Sequence, residues 1–250
     1  MIVVDSLKKS LGGKEVLKGI SLEVREGEAF VIIGPSGCGK SVLLKNMIGL
    51  MKPDEGKILI GGVNIVKASH DELMEVRKSM GVVFQGGALF DSMTVFENVA
   101  FPLRKLFNLS EEEIHSRVKE ALARVGLQGV ENLYPEELSG GMRKRVAFAR
   151  AVVSLPKILF LDEPTTGLDP VTSAAIDELI ISLKRGLSLT LVMVTHDMRS
   201  AFRVADRIAM LYDGYIVFQG SVKELKESNN PYLKQFIEGS LEGPICVRLA

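Results

Sequence analysis

The chain has little of what marks several protein classes. Two cysteines occur in 250 residues, Cys38 and Cys246. Neither has a partner at metal-ligand spacing, so neither a zinc site built on them nor a disulfide is expected. That usage fits a reducing cytoplasm. Net charge is absent too, because 31 lysines and arginines balance 31 aspartates and glutamates. No overall field draws the chain to nucleic acid or to an anionic membrane, and no nucleic-acid partner is expected. Long apolar runs are missing: "AFVII" and "KILFL" fall far short of the roughly 20 residues that cross a bilayer as a helix. The start, "MIVVDSLKK", lacks the cationic region and apolar run of a secretory signal. The expectation is a chain that does not span a membrane. Solenoid repeats, low-complexity tracts and sustained heptads are absent as well.

What is present is enough for one large core, or a core with a smaller attached subdomain. Ile2 to Val4 and Val16 to Val24 are rich in β-branched residues and flank "LGGK", which predicts strand, turn, strand. Ala29 to Ile33 is apolar at every position, as in a strand covered on both faces of a parallel sheet. Leu43 to Leu50 has helical spacing. From about Gly86 to Ser154 the pattern is helical, with a capping box at Ser110 and Glu113 and a stop at Gly126. Strand patterns return at Lys157 to Leu161, Leu189 to Thr195, Ile208 to Leu211 and Tyr215 to Phe218. An α/β core interrupted by a helical insertion is the simplest architecture. The ending "GSLEGPICVRLA" predicts an extended tail.

Three stretches carry chemistry. "GPSGCGKS" comprises Gly34, Pro35, Ser36, Gly37, Cys38, Gly39, Lys40 and Ser41. It lies between a buried strand and a helix and matches the phosphate-loop pattern, in which glycines let backbone N–H groups point inward at an anion. Lys40 then reaches the terminal phosphates and the Ser41 hydroxyl holds Mg²⁺; a ligand-free glycine turn is the alternative. "KILFLDEP" ends a strand in two acids. Asp162 suits a hard cation held partly through water, and Glu163 suits a base for the water that attacks the γ-phosphate; the alternative is a solvated acidic pair. His196 and Gln85 each follow an apolar strand, at the edge where ligands gather in open α/β sheets. A hydrogen-bonded structural histidine and an ordinary polar residue are the counterparts there. In "LSGGMRKRVAFARA", Ser139, Gly140 and Gly141 precede a helix whose N–H groups and dipole favour an anion. The side chains of Arg143, Lys144 and Arg145 are expected to form a solvated cationic face.

Taken in order, these motifs resemble the nucleotide-binding subunit of ATP-binding cassette (ABC) transporters over nearly the whole chain. The Walker A motif is "GPSGCGKS", the Q-loop Gln85, the signature "LSGGM", Walker B "ILFLDE", the D-loop "GLDP" with Asp169, and the switch histidine His196. The resemblance implies a P-loop NTPase (RecA-like) α/β core with an N-terminal antiparallel β subdomain and an inserted α-helical subdomain. Residues 1–240 would form one ATPase domain, with the core at about 1–85 and 155–240 and the helical part at about 86–154; residues 241–250 would be a tail. It also implies ATP with Mg²⁺, the latter held by Ser41, Gln85 and Asp162. Two copies would lie head to tail, Ser139, Gly140 and Gly141 of one closing over the γ-phosphate held by the other. Leu11 occupies the position where the family usually stacks an aromatic ring on adenine, and lacks the extra stacking term of such a ring.

"GALFDSMTVFENVAFPLR", "LSGGMRKRVAFARA" and "FIEGSLEGPI" further resemble the Mla type of ATPase. That type energises a permease working with a lipid-binding MCE protein in bacterial phospholipid transport. The implied location is peripheral, on the cytoplasmic face of the inner membrane. Leu89, Phe90, Met93, Phe96 and Phe101 are expected mostly to pack the core of the helical subdomain; Phe90 and Met93 are candidates for the surface that receives the permease's coupling helix, and the tail after Gly239 for contact with the neighbouring subunit. Cys38 is a candidate for alkylation if its thiol is exposed. An ATPase of a different ABC importer or exporter would carry the same motifs. Soluble ABC ATPases of DNA repair or ribosomes need coiled coils or two cassettes in one chain, and every motif here occurs once.

Overall fold

The computed structural model describes residues 1–246. The last four residues of the tail expected at 241–250 lie outside the described residues. The chain divides into two compact units, residues 1–68 with those from 192 onward, and residues 69–191.

In the first unit, β1 (Ile2–Leu11) and β2 (Lys14–Val24) form an antiparallel hairpin, longer than the β-branched runs alone predict. The charged residues Lys8, Lys9, Lys14 and Glu15 extend the pairing beyond the apolar stretch. β3 (Ala29–Ile33) is buried at all five positions and leads through the glycine loop into α1 (Lys40–Met47). That helix starts and stops three residues earlier than its apolar spacing predicts. Gly49, at φ +69, ends it: the Leu50 N–H donates to the Lys45 carbonyl at 2.9 Å and the Gly49 N–H to that of Asn46 at 3.0 Å, which satisfies carbonyls left open at a helix end. β4 (Glu55–Ile60) and β5 (Val63–Asn64) complete a four-stranded sheet in the order β2-β1-β4-β5.

The second unit opens with α2 (His70–Lys78), a helix not anticipated above. Its signal is the capping box of Ser69 and Glu72, which satisfies N–H groups that a helix start leaves unpaired. β6 (Met80–Val83) follows, then α3 (Val95–Leu106) and α4 (Glu111–Arg124), which begin at capping boxes of Thr94 with Glu97 and Ser110 with Glu113. Gly126, at φ +70, follows the last turn of α4. α5 (Gly140–Val152) starts at Ser139, whose hydroxyl accepts from the Met142 N–H. β7 (Ile158–Asp162) is fully buried and runs parallel to β6, and α6 (Pro170–Leu187) follows.

β8 (Thr190–Thr195) begins at the end of the second unit and continues into the first. There α7 (Met198–Val204), β9 (Arg207–Tyr212), β10 (Tyr215–Ser221), α8 (Val222–Glu227) and α9 (Pro231–Glu238) complete the chain. The strand order in this unit is β10-β9-β3-β8, with β3 and β9 parallel and β10 antiparallel to β9. Beyond α9 the segment 240–246 is non-helical, and it packs on its own chain. The Ile245 N–H donates to Gln235 Oε1 at 2.6 Å and the Tyr212 hydroxyl to the Pro244 carbonyl at 3.2 Å.

Candidate functional site

In the first unit the phosphate-loop residues sit where β3 ends. The loop is glycine-dependent: a Cβ on Gly34 would lie 2.1 Å from the Leu211 carbonyl oxygen, and Gly39 has φ +108 with the Val16 and Leu17 side chains 3.1 Å from such a Cβ. No side chain caps α1, so the first N–H groups of the helix lie beside the loop backbone. Lys40 is buried and folds over the loop, its Nζ donating to the carbonyls of Gly34 at 2.7 Å and Pro35 at 3.1 Å. Ser36 and Gly37 are exposed, and Pro35 and Ser41 half-buried. Cys38 is buried, 8% exposed, so the exposure on which its alkylation depends is not met.

His196 follows the buried strand β8 and is itself exposed. The turn that carries it is held from both sides: Thr195 Oγ1 accepts from the Asp197 N–H at 3.0 Å, and the Asp197 carboxylate accepts from the Arg199 N–H at 2.8 Å at the start of α7. Leu11 is 40% exposed at the tip of the β1–β2 hairpin.

In the second unit, β7 delivers Asp162 and Glu163, both 7% exposed. Glu163 has a left-handed backbone, φ +49, which costs a non-glycine residue on the order of 1 kcal/mol. Its carboxylate accepts from the Thr166 hydroxyl at 3.2 Å. Gln85 is exposed just beyond β6. Asp169 caps α6, accepting from the N–H groups of Val171 and Thr172 and from the Thr172 hydroxyl. Thr172 also lies 3.4 Å from where a Cβ on Gly141 would stand, so the signature and Asp169 share one neighbour. Asp162, Gln85 and Ser41 all offer oxygen donors that suit a hard cation. No group of three or more His, Cys, Asp and Glu side chains able to hold a metal forms among the described residues.

The solvated cationic face expected of Arg143, Lys144 and Arg145 is not what the structure contains. Arg143 is exposed, but its guanidinium donates to the Leu138 carbonyl at 2.9 Å. Lys144 is buried, 7% exposed, and its Nζ donates to the Gln85 carbonyl. Arg145 donates to the Val125 carbonyl at 3.0 Å. A long cationic stem on a helix can reach carbonyls left open by a neighbouring loop, and the buried ammonium is then partly compensated. Burial pushes Lys144 below the ordinary lysine range, while the carboxylates of Asp162 and Glu163 draw it back up.

An apolar cavity of about 400 Å³ lies in the second unit, lined by Val82, Phe84, Phe90, Phe101, Leu106 and Arg150 among others. Phe90 is 41% exposed and packs its ring on Phe101 at 4.8 Å between centroids. Met93 is half-buried and does not line the cavity. Asn98 belongs to no motif in the sequence, yet it is fully buried and orients this segment. Its amide accepts from the Phe90 N–H at 2.8 Å and donates to the carbonyls of Phe90, Met93 and Thr94 at 3.0–3.1 Å. A lone asparagine among the apolar residues of α3 was the available signal.

A buried strand, a glycine-dependent loop and an uncapped helix make the phosphate loop of a P-loop NTPase fold. Residues 17–166 match the ABC transporter family. The chain is 42% identical to the intermembrane phospholipid transport system ATP-binding protein MlaF of Escherichia coli, over 95% of this chain and 88% of that one. It is 44% identical to the probable ribonucleotide transport ATP-binding protein mkl of Mycobacterium tuberculosis, over 98% of this chain and 68% of that one. Among solved structures, the dimeric post-hydrolysis state of the ATP-binding cassette MJ0796, bound to ADP and Pi, superposes with a TM-score of 0.81. The two are 35% identical over 89% of this chain and 99% of that one. The chain belongs to the ABC transporter family and is an ATP-binding, ATP-hydrolysing cassette.

Proposed function

We propose that this ATPase works as a head-to-tail dimer that drives a membrane permease in phospholipid transport. The observation that carries the dimer is at the signature. Neither Gly140 nor Gly141 has a positive φ, and among the described residues a Cβ there would come no closer than 3.9 Å and 3.4 Å to its neighbours, Leu168 and Thr172. Nothing among the described residues requires glycine at these positions, so in this reading the close approach that would exclude a side chain comes from outside the chain. A nucleotide on the phosphate loop of a second copy supplies that approach, as expected from the motif order.

In this reading the backbone from Gly34 to Ser41 surrounds the β- and γ-phosphates. Lys40 exchanges its loop carbonyls for phosphate oxygens. Ser41, Asp162 and Gln85 would hold Mg²⁺, which supplies charge neutralisation of the phosphates when bound. Glu163 takes the proton of the attacking water. His196 contacts the γ-phosphate, Asp169 lies at the dimer interface and Leu11 packs against adenine. ATP favours the closed dimer by its higher affinity for that state, and loss of the γ-phosphate permits opening. Residues 1–240 act as one ATPase domain with the core and helical parts expected from sequence. The chemistry is tested by Glu163→Gln, for which turnover falls about 100-fold or more while ATP binding and an ATP-dependent dimer persist. Full turnover in that variant would remove Glu163 from its role.

Phospholipid as cargo rests on the MlaF likeness, which spans 88% of that protein against 68% of the mycobacterial relative. The cavity beside Phe90 is the docking place for a permease helix. No helix among the described residues is long and apolar enough to cross a membrane, and the chain is proposed to be held on the cytoplasmic face of the inner membrane by that contact. Purification from native membranes in mild detergent is expected to recover a permease, an MCE-domain protein and phospholipid. A permease carrying nucleotides would refute the lipid assignment and leave the ATPase in place.

A further inference from the structure

α5 is bonded to the chain segment that precedes α3 along most of its length. At its C-terminal end, a Cβ on Gly81 would stand 2.2 Å from the Ala151 carbonyl oxygen, so strand and helix meet backbone to backbone. Next along, the Arg150 guanidinium donates to the carbonyls of Gly87 at 2.6 Å and Ala88 at 2.8 Å. Gly87 faces Ala147, 3.6 Å from where its own Cβ would be. Two turns from Arg150, the Lys144 ammonium donates to the Gln85 carbonyl. Three main-chain carbonyls of one loop are thus satisfied by two cations of one helix. An apolar residue at 144 would pack at lower desolvation cost, so packing alone does not account for the lysine.

We propose that Lys144 is a positioning residue that makes Gln85 and the signature serine one rigid piece, through which the two ATP sites of the dimer sense each other. The inference rests on the head-to-tail reading above. In that arrangement Gln85 faces the nucleotide of its own chain, whereas Ser139 faces that of the second copy. Ser139 stands five residues before Lys144, at the head of the same helix. A shift of Gln85 when its own site fills is carried through the Lys144 hydrogen bond into α5, and so to Ser139 at the other site. Two discrete arrangements of one rigid piece, biased by both sites, constitute a coupling between them.

Lys144→Met keeps the length of the stem and removes the donor and the charge. In the assembled transporter, the Hill coefficient for ATP is expected to fall from near 2 to about 1 and kcat by on the order of tenfold, with the half-saturating ATP concentration little changed. Lys144→Arg restores the coefficient. Because Lys144 acts through Gln85, adding Lys144→Met to a Gln85→Ala background produces no further loss. A wild-type coefficient of 1, unchanged cooperativity in folded Lys144→Met, or additive losses in the double variant would each overturn the proposal. If Lys144→Met does not fold, Lys144→Leu, which also removes the donor and the charge, is read in the same way. A disulfide between Ser139→Cys of one copy and Ser36→Cys of the other tests the head-to-tail reading separately. If the disulfide forms and Lys144→Met still cooperates, Lys144 alone loses its role; if no link forms, the dimer reading fails and the proposal with it.

Discussion

Gly39 and Gly140 both stand at the start of a helix, one in each compact unit, and their surroundings differ. Gly39 has φ +108, and the Val16 and Leu17 side chains are within 3.2 Å of any Cβ it might carry. Gly140 has an ordinary helical backbone and open space to 3.9 Å. The helix after Gly39 lacks a side-chain cap, whereas the helix after Gly140 is capped by Ser139. The first glycine is a requirement of the fold of its own loop. The second is not required by its described neighbours, and its role is the proposed approach of a second copy. One motif therefore reports on internal geometry, and the other is the one proposed to complete an assembled site.

The strongest attack on this contrast is Gly34→Ala. Its Cβ would lie 2.1 Å from the Leu211 carbonyl oxygen, so the loop has to shift, with an expected loss of about 3 kcal/mol and of ATP binding. Denaturant melts and nucleotide binding measure both. Gly140→Ala should do the opposite on stability, holding it level or raising it by up to about 1 kcal/mol from helix propensity. Its ATP turnover should still fall about 100-fold, the scale of one lost anion contact in a closed site. Normal turnover in Gly140→Ala would erase the difference between the two glycines.

A smaller effect is expected at the cavity of the second unit. Phe90→Asp combined with Met93→Asp places charge on its apolar rim and should weaken permease co-purification about tenfold or more, the scale of an interface hot spot. Because Met93 does not line the cavity, most of that loss should come from Phe90 alone. The smallest effect concerns Asp169. The Thr172 hydroxyl and N–H hold its carboxyl below the ordinary value of 3.8. A carboxyl lowered by folding contributes stability that is present above 3.8 and lost as pH falls through its folded value. Asp169→Asn retains a capping acceptor without titrating, so its thermal midpoint should lack that part of the acid decline.

Local rules made much of this protein legible from its residues. The phosphate loop could be read because strand, glycines and helix are consecutive, and their geometry depends on neighbours within a few residues. The capping box at Ser110 and Glu113 was readable for the same reason. That of Ser69 and Glu72 was equally local, but α2 was overlooked because it carries little apolar periodicity and buries none of its residues.

What the sequence by itself determined is the order of the motifs, the backbone freedom at Gly34, Gly37 and Gly39, and the capped ends of the helices. The tertiary structure alone decided that Lys144 is buried rather than solvated, that Cys38 is covered and that Asn98 orients Phe90. It also decided that Arg150 grips a loop more than 60 residues before it. Lys144 meets the Gln85 carbonyl across 59 residues of chain, and Arg150 meets Ala88 and Gly87 across 62 and 63. A lysine or arginine on a helix has the same local propensity whether its head lies in water or on a carbonyl. Only the packing of distant segments leaves that carbonyl unsatisfied and within reach, and so decides between the two.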